Sequence, residues 1–167
     1  MYVSRAIDAR GHGIKENPLP LRETPLGRLV YPTPQRVTMD DLLQAAEAVQ
    51  IPMTEPLLAQ FLLASRGGNV VGNNPVFLAA GKSWVGAWTV IRTPIVSGGQ
   101  PRYRWQGIRV YPTLPAGIRG WVEALPAAAR TTGDIDTFAS ILVQGGWVDS
   151  SPGDYATLLR DALLLGR

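Results

Sequence analysis

The stretch TEPLLAQFLLASRGG, Thr54 to Gly68, decides the fold. Thr54 is a good helix N-cap, since its side-chain oxygen is placed to accept a backbone N–H of the first turn. Glu55 and Pro56 follow, where negative charge suits the helix dipole and proline costs little. The apolar residues of LLAQFLLAS surround most of the helix circumference, which predicts a central buried helix, and Gly67-Gly68 ends it. The last half looks like the entrance to a site, yet it holds no carboxylate, imidazole or thiol.

Working back from this helix, Thr38 caps an earlier one with Asp40 and Asp41 in its first turn, running through DLLQAAEAVQ and stopping before Pro52. Residues 1–36 have no helical period and carry Pro18, Pro20, Pro25, Pro32 and Pro34. They read as an extended Pro-rich arm that orders only against something else, such as a neighbouring protein subunit, with residues 37–167 as the folded domain. Working forward, WVGAWTVIRTPIV and YRWQGIRVYPT are aromatic and β-branched and are joined by Ser97-Gly98-Gly99-Gln100-Pro101, a hairpin signal. Three helices follow: Leu114 to about Leu125 capped by Thr113, Ile135 to Gln144 capped by Asp134, and Pro152 to Leu165 capped by Ser151. A small hairpin lobe among helices makes the fold class α+β, mostly helical.

Composition bounds the chemistry. A chain of 167 residues is about one domain and buries roughly 70% of its extended surface on folding. No apolar run approaches the roughly 20 residues that span a bilayer. The opening MYVSRAIDARGHG shows no secretory signal, so a virion or cytoplasmic assembly is the expected location and membrane insertion is not expected. Zero cysteines exclude disulfides and thiolate chemistry, and the one histidine, His12, lies between glycines. No metal and no cofactor is expected.

The net charge of +3 matters less than its distribution. No Asp or Glu occurs from Pro56 to Val122, while Arg66, Lys82, Arg92, Arg102, Arg104, Arg109 and Arg119 all do. The expected cationic patch is Arg102, Arg104 and Arg109. The first two share one strand face and Arg109 takes the opposite parity, unless Gly107 makes a bulge. Most of the tryptophans, with Tyr103 and Tyr111, read as core, one or two being left to line a groove.

These segments resemble the glucosaminidase family of peptidoglycan hydrolases, the flagellar and autolysin type. Ala59-Gln60-Phe61-Leu62-Leu63-Ala64-Ser65 stands where the family has A-Q-x-x-L-E-S, and Val71-Gly72-Asn73-Asn74-Pro75-Val76-Phe77-Leu78 resembles its G-x-x-x-N-N-L-F loop. Ile108-Arg109-Val110-Tyr111-Pro112-Thr113 follows the hairpin like F-R-x-Y-x-S, and Gly146-Trp147-Val148-Asp149 with Asp154-Tyr155-Ala156 resembles the family's ending. The resemblance spans roughly residues 38–165 and implies a lysozyme-like fold.

Where the chain departs from that pattern, the chemistry changes. The family's general acid maps onto Ala64 and the carboxylate of its hairpin T-x-E element onto Ile95. Glycoside cleavage needs a proton donor, and usually a second carboxylate, which neither residue supplies. The resemblance therefore implies a non-catalytic lysozyme-like module, a structural or docking component of a phage virion, tail or envelope-spanning machine. A possible ligand groove of Gln60, Ser65, Asn73, Asn74, Phe77, Trp147 and Tyr155 would take peptidoglycan glycan. The alternative is an active peptidoglycan hydrolase with an unrecognised carboxylate. Nucleic acid is not the expected partner, and binding through the basic middle ranks third.

Overall fold

Helix α2, Glu55–Ser65, forms where its capping and apolar pattern place it. The Thr54 side chain accepts from the Leu57 amide (3.4 Å), and Leu57, Ala59 and Phe61 have no solvent exposure. At its end Arg66 turns left-handed (φ 50°), followed by Gly67 (φ 84°) and Gly68 (φ 118°). Gly68 is required twice over: a Cβ there would meet the Val37 carbonyl oxygen at 2.3 Å, and its φ belongs to glycine.

The computed structural model describes residues 17–97 and 100–166. Helix α1 (Met39–Ala48) packs on α3 (Leu114–Ala124), while α2 packs on α5 (Ile135–Gln144) and α6 (Pro152–Gly166). The short α4 (Ala127–Thr131) joins α3 to α5 and has no side-chain cap, which is why local sequence signals do not reveal it. The expected helices stand in the expected order around one large apolar core, with Leu42, Leu57, Phe61, Trp121, Phe138, Leu142 and Leu159 fully buried.

The described residues form two small antiparallel pairs. β1 (Gln35–Arg36) pairs with β2 (Asn69–Val70), and β3 (Trp88–Ser97) with β4 (Gln100–Arg109). The β3–β4 register is unbroken from Trp88↔Arg109 to Ser97↔Gln100, so Gly107 makes no bulge.

The expected arm, over its described residues 17–36, lies on this chain's own hairpin, on β2 and on the Asn73 loop. Leu19 joins Ala80, Trp88 and Val90 in a second, smaller core. Trp88 donates its amide to Arg28 O (3.0 Å) and its indole N–H to Gly27 O (2.8 Å), and Val30 donates to Trp88 O (2.8 Å). Gly27 crosses Gly86 so closely that a Cβ would lie 1.8 Å from the Gly86 oxygen. The proline content hid this role: Pro forbids a long strand there, but single backbone bonds between prolines remain available. His12 lies outside the described residues.

Candidate functional site

The loop from Gly72 to Leu78 and the start of α3 meet at one place. Gly117 on α3 permits it, because a Cβ there would be 1.7 Å from the Asn73 carbonyl oxygen. Asn73, left-handed at φ 55°, donates its side-chain amide to Tyr111 O (3.0 Å) and accepts from Gln35 Nε2 (2.7 Å). Asn74 is wholly buried and donates to Leu78 O and Arg109 O (both 2.9 Å) while accepting from the Leu78 amide (2.7 Å). It ties loop to hairpin.

Of the seven residues expected to line a ligand groove, four are built into the packing. Asn74 is one. Gln60 is 8% exposed and accepts from the Trp121 indole N–H (2.7 Å), joining α2 to α3. Ser65 donates to Phe61 O (2.6 Å) and accepts from the Gly68 amide (2.9 Å), so its hydroxyl closes the helix. Tyr155 packs in the main core, and burial pushes its phenol up to about 12. Asn73, Phe77 and Trp147 keep partial exposure. Phe77 is also left-handed (φ 54°), a costly conformation for a bulky side chain. Ala64 is half-buried on α2, and Ile95 is described only by its backbone register, opposite Arg102.

Every Asp and Glu among the described residues has an exposed side chain. Two carboxyls are shifted, both downward. Hydrogen bonds from the Thr38 backbone and side chain lower Asp41, and those from the Thr137 hydroxyl and amide lower Asp134. A general acid needs the opposite shift, from burial or a like charge. Among the described residues no three His, Asp or Glu side chains gather as a metal site would require, and no helix is long and apolar enough to cross a membrane.

The three arginines expected as a patch do not share a face. Arg102 and Arg104 are exposed on one side of the hairpin; Arg109 takes the other and is half-buried. Its Nε donates to Ala79 O (3.1 Å) and its guanidinium stacks on Trp84 (4.5 Å to the ring centre). Arg92, outside the expected patch, lies opposite Trp105 and stacks on Tyr103 (4.5 Å). Counting back from a two-residue turn at Gly98-Gly99 would have found that pairing.

No protein-family model matches the chain, and no curated protein matches it at a significant level. Solved structures do match. A peptidoglycan hydrolase mutant from Sphingomonas sp. A1 is 23% identical, with 77% of this chain and 96% of that chain covered and a TM-score of 0.52. This chain has the fold of that hydrolase. A C-terminally truncated glycoside hydrolase domain of FlgJ from Salmonella typhimurium gives 22% identity, 78% and 92% coverage and a TM-score of 0.50. The mixed, mostly helical architecture implied by the resemblance is thus observed.

Proposed function

We propose that this chain is a non-catalytic relative of the peptidoglycan-cleaving domains, a docking module in a larger assembly such as a phage tail or an envelope-spanning machine. One observation carries the reading: from Pro56 to Val122, which includes the end of α2, the loop and the whole hairpin, there is no carboxylate. General acid catalysis alone contributes about 10²–10⁴-fold, and a glycosidase site without either carboxylate forfeits it. The exposure of every described carboxylate supports the same reading.

Docking is supported by the apolar outer surface of the arm and the turn beneath it. Leu21 (91% exposed), Leu26 (75%) and Val85 (77%) present side chains to solvent. Peptidoglycan glycan is a candidate ligand at the half-exposed Asn73, Phe77 and Trp147.

A zymogram with purified protein and measurement of released muropeptides test the proposal. The expected result is no cleavage above background, with Leu21→Ser and Leu26→Ser weakening incorporation into the native particle. Clear lysis that one carboxylate substitution abolishes would overturn it in favour of an active hydrolase.

A further inference from the structure

The outer edge of β4 is only partly covered. Ala80 donates to Gly107 O (2.9 Å) and Arg109 donates to Leu78 O (3.0 Å), and no described segment pairs with the edge beyond Gly107. Outward-facing backbone groups recur at every second residue, so those of Trp105 and Tyr103 continue the row toward the hairpin tip. Beside this edge lies a groove of about 340 Å³ whose walls include Arg22, Lys82, Arg104 and Trp105. Among the described residues, Glu23 is the one carboxylate on it. The three cations are exposed, and none is ion-paired among the described residues.

We propose that this edge groove binds single-stranded nucleic acid, with phosphates among Arg22, Lys82 and Arg104 and bases stacked on Trp105 and Tyr103. The sequence Arg102-Tyr103-Arg104-Trp105 alternates cation and ring. On a covered strand that alternation sends the two kinds of side chain to opposite faces. At a free edge, a polymer running along the strand reaches both. Tyr103 is 65% exposed, and Arg92 lies over it and 5.9 Å from the centre of Trp105, adding charge beside the rings. Neutral glycan has no use for the cations, and a duplex keeps its base faces inside its own stack. An unpaired strand supplies both phosphate and an open planar face.

The test titrates the full chain into a labelled oligothymidylate of about 12 nucleotides, followed by fluorescence anisotropy. With about three phosphates neutralised, affinity falls about 20-fold between about 50 and 200 mM salt. Tyr103→Ala, at an exposed position, weakens binding about tenfold with the salt slope unchanged. Lys82→Gln with Arg104→Gln reduces the slope by about 1.4. Thermal melts of both variants confirm folding. Absence of binding at about 50 mM salt overturns the proposal. So does equal binding of heparin or duplex DNA with no effect of Tyr103→Ala, which marks a general cationic surface.

Discussion

At the scale of single residues, the polar atoms near the end of α2 are spent on structure. Gln60→Leu preserves volume but leaves the Trp121 indole N–H buried without its acceptor. A loss of about 1–3 kcal/mol is expected in chemical denaturation, and an unchanged midpoint would show that the pair contributes nothing. Tyr111 is the reverse case. Its hydroxyl is buried with no hydrogen-bond partner among the described residues, fitted over Gly120, where a Cβ would lie 2.3 Å away. Tyr111→Phe should therefore leave stability equal or raised, by up to about 1 kcal/mol, whereas Gly120→Ala should lower it. Sequence showed these residue types in their order but not where their hydrogen bonds go. Gln60 reads as site or core until Trp121, distant in the chain, is placed against it.

At the scale of elements, helix starts were the most readable feature, because a cap is a local arrangement of four residues. Thr38 and Asp41 form a reciprocal pair, the Asp41 amide donating to the Thr38 hydroxyl oxygen (3.1 Å) and the Thr38 amide to the Asp41 carboxylate (2.9 Å). Asp134 caps α5 through the Thr137 amide (2.9 Å). Both carboxyls titrate lower in the folded protein than when unfolded. Their contribution is therefore fully present above the ordinary carboxylate pKa and is lost as pH falls through the lower folded value. Asp41→Asn combined with Asp134→Asn should lower Tm at neutral pH, and the gap to the parent should narrow as pH drops below 3.8. A constant gap across an acid titration would assign the effect to something other than charge. α4 and the β1–β2 pair escaped sequence reading for a common reason: each is too short to show a period, and each depends on distant chain for its position.

At the scale of the whole molecule, the arm and the hairpin form one lobe and the helices another. Deleting residues 1–36 removes Leu19 from the smaller core, worth about 1.5–3 kcal/mol of burial, and uncovers Trp88 and Val90. The expected outcome in hydrogen exchange is lost protection across Trp88–Arg109 with α2, α5 and α6 still protected. Uniform loss would mean that the two lobes unfold as one. Composition alone sets the arm apart from the domain, because a Pro-rich segment cannot build a core by itself. It can still complete one built by β-strands.

The crossing of Gly27 over Gly86 also fixes an order of events during synthesis. The Trp88 indole bonds the Gly27 carbonyl across 61 positions of chain, so this part of the arm, made before the hairpin, docks only once the hairpin has emerged. Closing so long a loop is entropically costly and slow, whereas the helices nucleate locally. On a ribosome Leu19 therefore stays uncovered while α1 and α2 emerge and nucleate, until Ala80, Trp88 and Val90 follow. A substitution at either glycine would prolong that interval, and its effect would appear in the yield of correctly assembled protein before it appeared in Tm.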